Sequence, residues 1–158
     1  MIKDTFLQKN QSINVNGQLM DLSSPKIMGI LNFTPDSFYA GSRVQSEKEL
    51  MGRVERMISD GADIVDIGAY SSRPGAEDIS SEEEKRRLLP LLKLIKINFP
   101  SLVVSIDTFR SDVAADAIEA GAGMINDIGG GQLDSNMFQT IAQYRVPFVL
   151  MHMKGTPQ

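Results

Sequence analysis

The chain has 158 residues, of which 42% are apolar, and it carries a formal net charge of -4 with a pI near 5.0. This length and apolar content suffice for the core of one ordinary domain, and the acidic balance lacks the basic patch with which nucleic-acid binders contact phosphates. With no cysteine and a single histidine, the sequence excludes disulfides, thiolate metal sites and zinc sites with two histidines.

The amino-terminal segment, residues 1–24, is predicted to form a small β-hairpin ahead of the main domain. Two short alternating runs flank Asn16 and Gly17, and an Asn-Gly pair in that position is the strongest local signal for a two-residue hairpin turn. No signal-peptide segment follows Met1, and no run approaches the roughly 20 apolar residues of a membrane span. We therefore expect a soluble, cytoplasmic protein.

Five short apolar segments follow, and all of them are predicted to be strands of one domain that covers residues 25–158. They span residues 26–32, 63–68, 102–108, 124–129 and 147–152. Strands that are buried on both faces of a parallel sheet have this near-continuous apolar character, whereas half-exposed strands alternate.

Helical patterns connect these segments. Two capping boxes place the starts of the first two helices: Ser46 with Glu49, and Ser81 with Glu84. Gly61 is expected to end the first helix, and Pro90 should bend or split the second. The third and fourth helices are predicted over residues 111–120 and 134–144.

The regular alternation of strands and helices predicts a parallel α/β fold. The pattern alone leaves open whether the sheet closes into a barrel or forms an open, doubly wound sheet. A glycine-rich dinucleotide turn after the first strand would favour the open sheet, but that strand leads into residues 33–38, which contain no glycine.

Polar residues stand at the carboxyl ends of the predicted strands. They are Asn32, Asp107, Asn126, Asp127 and His152. In (β/α) barrels the active site is assembled on this face, with one or two side chains from each strand. The alternative for each position is a helix cap or an Asx turn.

Asp107 and Asn126 are the leading candidates for a ligand site. The apolar residues before Asp107 carry its carboxylate towards the interior, where it is costly unless it is paired, and a ligand with adjacent N–H donors would be a suitable partner. The amide of Asn126 offers both a donor and an acceptor to the edge of a heterocycle. Together they are interpreted as a clamp for a planar ring, while Asp127 has capping as the stronger interpretation.

Two proline-containing loops could cover such a site. One contains Arg73 and Pro74, and the other runs from Thr34 to Phe38. Loops of this kind often close over a bound substrate, although both segments are also compatible with ordinary turns.

The chain resembles the dihydropteroate synthase family in five segments that occur in the family's order, from about residue 13 to the last residue. Two segments are long: MGILNFTPDSF at residues 28–38, and DIG at 66–68 followed by SSRPGA at 71–76. The shorter ones are SIDT at 105–108, INDI at 125–128 and MHMKGTP at 151–157.

This resemblance implies a (β/α)8 barrel of the TIM type that joins p-aminobenzoate to 6-hydroxymethyl-7,8-dihydropterin pyrophosphate and releases pyrophosphate with Mg2+. It assigns the metal to Asn32 and the pterin ring to Asp107, Asn126, Ile128 and Met151. It makes Ser72 and Arg73 catalytic residues, with Ser72 beside the pyrophosphate. Loops over p-aminobenzoate would contain Phe38, Ser72, Arg73 and Pro74.

The sequence also departs from the family. Ala69 and Tyr70 stand where the family commonly has a glycine and an acidic residue, and Ser72 stands where threonine is usual. A full barrel needs about 250 residues, so the barrel would stop after about the fifth strand, without the family's later aspartate, lysine and final Arg-x-His. The resemblance therefore predicts a fragment that is inactive and unstable alone, needs a carboxyl-terminal half to close the barrel, and forms a homodimer when full length.

Two other functions remain open from the sequence. A pterin-binding methyltransferase would share the ring-clamping Asp and Asn, although methyl transfer has no p-aminobenzoate for the two loops to cover. A fragment that only binds or assembles, without turnover, is the alternative outside enzymology.

Overall fold

The computed structural model describes residues 11–32, 43–70 and 79–152, with the side chains of residues 43–46 excepted. It confirms an α/β fold with an amino-terminal hairpin. The strands are β1 (Ser12–Val15), β2 (Gln18–Asp21), β3 (Met28–Asn32), β4 (Ile64–Gly68), β5 (Val103–Asp107), β6 (Met124–Asp127) and β7 (Phe148–Leu150). The helices are α1 (Arg43–Ser59), α2 (Ser81–Asn98), α3 (Ser111–Glu119) and α4 (Met137–Tyr144).

The hairpin forms where it was predicted and packs against the main sheet. β1 and β2 are antiparallel, and the turn residues Asn16 and Gly17 both have positive φ, at 52° and 80°, as a two-residue type I′ turn requires. Val15 is buried against Gly123, where an added Cβ would lie 2.7 Å from Val15 Cγ1. The hairpin therefore lies at the amino-terminal end of β6, opposite the end where the polar residues emerge.

The order of the strands decides between barrel and open sheet. The five strands run β3-β4-β5-β6-β7 and are all parallel, so each strand lies beside its predecessor in the chain. A doubly wound sheet would reverse its order at a switch point. A sheet without such a reversal, in which α2 packs on α3 and α3 on α4, is the wall of a (β/α) barrel.

The in-register parallel pairing gives the sheet two chemically different faces. One face packs against the helices and is apolar and fully buried: Leu31, Val65, Ile67, Val104, Ile106 and Ile125. Since side chains alternate along each strand, the other face carries the intervening residues, which include Asp66, Ser105, Asp107 and Asn126. The core thus lies between sheet and helices, and the polar residues point into the barrel interior.

Three predicted helix starts are wrong. Helix α1 begins at Arg43, so Ser46 lies inside it and is not the cap. Ser80, not Ser81, caps α2 and accepts a hydrogen bond from the Glu83 backbone N–H. Residues 80–84 read SSEEE, which contains the capping box in two registers. The helix uses the one that begins at Ser80, and Glu84 is buried and paired with Arg110.

Helix α4 begins at Met137, three residues after the predicted start. Asp134 instead holds the preceding turn: its carboxylate accepts from the backbone N–H groups of Ser111 and Asn136 at 2.7 and 2.9 Å. A residue with helix-start character thus serves the neighbouring helix α3, which the sequence pattern could not show.

Pro90 does not split α2, which runs uninterrupted from Ser81 to Asn98. Its ring lies on the exposed side of the helix. The helix keeps its continuity because Leu88, Leu91, Leu92 and Ile95 bury the opposite side against the sheet. None of the helices in the described ranges is long and apolar enough to cross a bilayer.

A buried ion pair joins α2 to the turn after β5. The side chain of Glu84 is 1% exposed and pairs with the Arg110 guanidinium. Arg110 also donates to the Ile79 carbonyl at 2.7 Å and lies 5.1 Å from the ring centroid of Tyr70. The pair and its additional contacts fasten residues on both sides of the 71–78 segment to the turn that follows Asp107.

We predict that Arg110→Met lowers the free energy of unfolding by about 3 to 5 kcal/mol, because it leaves a buried carboxylate without its partner. The double variant Arg110→Met/Glu84→Leu should recover about half of this loss or more, since it removes both charges. Urea unfolding of the protein and the two variants measures both effects. Equal instability of the single and double variants would contradict a dominant role for the ion pair.

Candidate functional site

Three of the sequence-predicted residues lie at or near the carboxyl ends of strands β3, β5 and β6, on the interior face. Asn32 ends β3, Asp107 ends β5, and Asn126 is the register partner of Asp107 on β6. Between them, β4 ends in Gly68, which is the register partner of Asn32. Adjacent parallel strands place register partners side by side on one face, so the structure confirms that Asp107 and Asn126 lie together and point into the same space.

Gly68 leaves the space that the Asp107 side chain uses. A Cβ added to Gly68 would lie 3.3 Å from both Cβ and Oδ2 of Asp107. Because this is closer than side-chain atoms normally approach, any larger residue would push the carboxylate away from β4. The glycine therefore keeps Asp107 free to lean across the interior between Asn32 and Asn126.

Asp107 is in an environment that disfavours its charge. Burial, and to a smaller extent the nearby carboxylates of Asp66, Glu84 and Asp127, together raise the pKa of Asp107 to about 7. Each of these causes favours the neutral carboxyl. A ligand that offered N–H donors to Asp107 would counter them by stabilising the carboxylate.

Asp66 is a site residue that the sequence reasoning missed. It lies in the middle of β4, is 3% exposed, and its Oδ2 accepts a hydrogen bond from Asn126 Nδ2 at 2.9 Å. Its other oxygen, Oδ1, is buried and has no partner among the described residues. The signal was present, because a carboxylate inside an apolar strand is costly unless it is paired, as was argued for Asp107.

Asp127 does not cap a helix but has the turn-forming role that was the other alternative for these positions. It lies on the helix-facing side of β6, fully buried, and its two carboxylate oxygens accept from the backbone N–H groups of Gly129 and Gly131, each at 2.7 Å. These bonds shape the turn after β6. Asp127 therefore does not join Asp107 and Asn126 in the interior.

Ile128 and Met151 lie next to each other at the carboxyl ends of β6 and β7. Asp127 and Leu150 are register partners, and the residues that follow them are Ile128 and Met151. The Met151 N–H donates to the Asp127 carbonyl at 3.4 Å, which keeps this residue beside the turn. Ile128 is half-buried and Met151 is 45% exposed, so both offer apolar surface close to Asn126.

The predicted loop residues Phe38, Ser72, Arg73 and Pro74 lie outside the described residues. Their assignment to p-aminobenzoate and pyrophosphate therefore stays a prediction. What the structure does give is the attachment of the second loop, since Tyr70 and Ile79 are both held by Arg110.

Within the described ranges, no three acidic or histidine side chains cluster so as to hold a metal ion. Asn32, the predicted metal ligand, presents an exposed amide at the carboxyl end of β3. An amide oxygen suits Mg2+, which usually takes one or two protein ligands and completes its shell with water and substrate phosphates. The donor set therefore fits a metal that arrives with a phosphorylated ligand.

A shallow cavity of about 370 Å³ lies at the opposite end of the strands. It is lined by Ile58, Ala62, Asp63, Phe99, Pro100, Ser101 and Leu102. The carboxylate of Asp63 is already engaged by the Ile27 backbone N–H and by Lys26. The polar cluster at the carboxyl ends is therefore the better candidate site.

The strand order and this cluster define a parallel α/β protein of the barrel type with a candidate ligand site at the carboxyl ends of its strands. The profile of the family described as "Pterin binding enzyme" matches residues 28–158. The chain belongs to this family.

Named relatives agree with this membership. Dihydropteroate synthase of Clostridium beijerinckii is 51% identical over 132 residues, which are 84% of this chain and 49% of that protein. A folate synthesis bifunctional protein of Arabidopsis thaliana is 46% identical over an alignment 158 positions long, which covers 98% of this chain and 32% of the relative. The chain thus spans about half the length of the bacterial relative and a third of the plant one.

Solved structures of dihydropteroate synthases have the same fold. The Xanthomonas albilineans enzyme with 4-aminobenzoic acid matches with a TM-score of 0.80 and 39% identity, covering 92% of this chain and 52% of that one. The same enzyme in complex with 7,8-dihydropteroate matches with a TM-score of 0.75 and 36% identity, over 90% and 51% of the two chains.

The raised pKa of Asp107 predicts a pH dependence of stability. Between pH 4 and 7 the folded protein holds this proton more tightly than the unfolded chain does, so the stabilisation by neutral Asp107 is complete below about pH 4 and is lost as the pH rises through about 7. Relative to Asp107→Asn, which does not titrate, the protein should lose about 2 kcal/mol of unfolding free energy between pH 5 and pH 8. Urea unfolding at both pH values measures the difference, and the same change in both proteins would refute the shift.

Proposed function

We propose that this chain forms the pterin-binding half of a dihydropteroate synthase, the enzyme that condenses 6-hydroxymethyl-7,8-dihydropterin pyrophosphate with p-aminobenzoate. The observation that carries the proposal is the side-by-side placement of Asp107 and Asn126 on the interior face of the barrel wall. Membership of the pterin-binding family and the relatives that are named dihydropteroate synthases support it.

The ring would be held by hydrogen bonds along one edge and by apolar contacts on its faces. Asp107 would accept from ring N–H groups, and Asn126 would present its amide beside it. Ile128 and Met151 would contact the ring face, a role suited to the polarisable methionine side chain. A donor-rich ring edge would also supply what the buried carboxylates lack among the described residues, which is a partner for their unpaired oxygens.

The reaction is a displacement at the methylene carbon of the pterin. The amine nitrogen of p-aminobenzoate forms the new C–N bond and loses a proton, while the C–O bond to pyrophosphate breaks and pyrophosphate leaves. Such a step needs no nucleophile from the protein, which agrees with a chain that has no cysteine. The protein would accelerate it by positioning the amine and by stabilising the departing charge.

The remaining residues would act on the pyrophosphate and on p-aminobenzoate. Ser72 would lie beside the leaving group, and Phe38, Arg73 and Pro74 would cover p-aminobenzoate. Asn32 would hold Mg2+, which supplies positive charge against the pyrophosphate when it is bound. We place the enzyme in the cytoplasm, as a homodimer when full length.

Turnover is expected only when a second half completes the site. We predict that the 158-residue chain alone forms no 7,8-dihydropteroate, and that product appears when it is combined with the carboxyl-terminal half of the Clostridium beijerinckii synthase. In this mixture Asp107→Asn should lower kcat/KM by about 10 to 100-fold, the effect of losing a hydrogen bond to a charged group. Product formation is measured from labelled p-aminobenzoate.

Two further measurements on the same mixture separate the proposal from its alternatives. Pterin binding by calorimetry without product formation would favour a fragment that only binds, and loss of the methyl group from an added methylated pterin would favour a methyltransferase. Lys93→Ala, an exposed change on the outer side of α2, is the matched control and should leave product formation unchanged.

The metal assignment makes a separate prediction. Asn32→Ala should weaken binding of the pterin pyrophosphate about 10-fold in the presence of Mg2+, because one protein ligand of the phosphate-bound ion is lost. Binding of 6-hydroxymethylpterin without the pyrophosphate should be unaffected. Calorimetric titration of both ligands, with Mg2+ and with EDTA, measures this. An equal loss for the two ligands would argue against a metal ligand.

A further inference from the structure

The hydrogen bond between Asp66 and Asn126 restricts how the candidate site can recognise a ring. Asp66 lies in the middle of β4 and is only 3% exposed, and its Oδ2 accepts a hydrogen bond from Asn126 Nδ2 at 2.9 Å. Asn126 itself is half-buried and is the register partner of Asp107. The Nδ2 end of the Asn126 amide therefore faces the buried carboxylate of Asp66, which lies one layer deeper in the barrel interior.

An asparagine amide has two chemically different ends, a donor and an acceptor. If the Asn126 amide turned over, its carbonyl oxygen would lie against a carboxylate oxygen of Asp66, where two acceptors repel each other and a charge-assisted hydrogen bond is lost. Asp66 thus selects one orientation. In that orientation Asn126 Oδ1 makes no hydrogen bond to any described residue and stays available as an acceptor.

We propose that Asp66 is a positioning residue that fixes the Asn126 amide, so that the site selects a heterocycle with a hydrogen-bond donor opposite Asn126 Oδ1. The inference rests on the proposed function and deepens it. Asp107, when ionised, is a second acceptor on the neighbouring strand. Two adjacent acceptors match the 2-amino edge of a pterin, and they reject a ring that places a carbonyl there.

The test compares 6-hydroxymethylpterin with 6-hydroxymethyllumazine, which has a 2-oxo acceptor in place of the 2-amino donor. A site that is built to bond a donor discriminates strongly against an analogue without it. We expect the natural sequence, in the longest natural chain that contains these 158 residues, to prefer the pterin. Calorimetry gives the ratio of the two dissociation constants.

Asp66→Leu should lower this preference at least about fivefold, because the free amide can then turn to suit either ring. Asp66→Asn should retain the preference within about threefold, since its amide oxygen can still accept from Asn126. The KM for p-aminobenzoate should change little in either variant, a result that a general loss of structure would not give.

Ser105→Ala is the matched control. Ser105 is the register partner of Asp66 on β5, fully buried, and its hydroxyl makes no hydrogen bond to a described residue. This change alters the same layer of the interior without touching Asn126, so the preference should persist. If Asp66→Leu does not fold, Asp66→Ala tests the same loss with a smaller change, and melting curves identify the folded variants.

The two proposals fail in different ways. If the natural sequence prefers the pterin and folded Asp66→Leu or Asp66→Ala keeps that preference, the role of Asp66 is refuted while the proposed function stands. If the natural sequence binds neither ring, the proposed function fails and takes the inference with it.

Discussion

The interior face of the barrel wall holds carboxylates that have no cation beside them among the described residues. Every charged group that acts on the pKa of Asp107 is itself an acid, and one oxygen of Asp66 is buried without a partner in the described part of the chain. Such an arrangement is unfavourable for stability alone, and it becomes favourable when a ligand with several donors enters. The fold thus places carboxylates that lack hydrogen-bond donors among the described residues at the position where the ring is proposed to bind.

The apolar helix-facing side of the sheet makes this arrangement tolerable. Leu31, Val65, Ile67 and their neighbours form a continuous buried core with α2 and α3, so the main apolar core of the wall lies on the side away from the interior face. The register of the parallel strands is then sufficient to place the polar residues side by side. Asp127 illustrates the division, because it lies on the helix-facing side and serves only the turn after β6.

Arg110 connects the fold to the proposed chemistry. It follows Asp107 by three residues, pairs with Glu84, and holds residues on both sides of the segment that contains Ser72 and Arg73. The ring clamp and the attachment of the proposed substrate loop are therefore built on one short stretch of chain. Loss of the ion pair between Glu84 and Arg110 is therefore expected to affect the position of both.

The sequence by itself determined the hairpin, the five strands and the side-by-side candidates Asp107 and Asn126, because turn chemistry and apolar runs are local signals contained within each segment. The predictions of helix starts at Ser46, Ser81 and Asp134 were wrong, because a residue of the capping type is recognisable from the sequence but the position at which the helix begins is not. Only the tertiary structure decided the barrel order of the strands, the pairing of Glu84 with Arg110, and the contact between Asp66 and Asn126. These join residues up to 60 positions apart, and such partners are chosen by strand register and packing, which no local pattern contains.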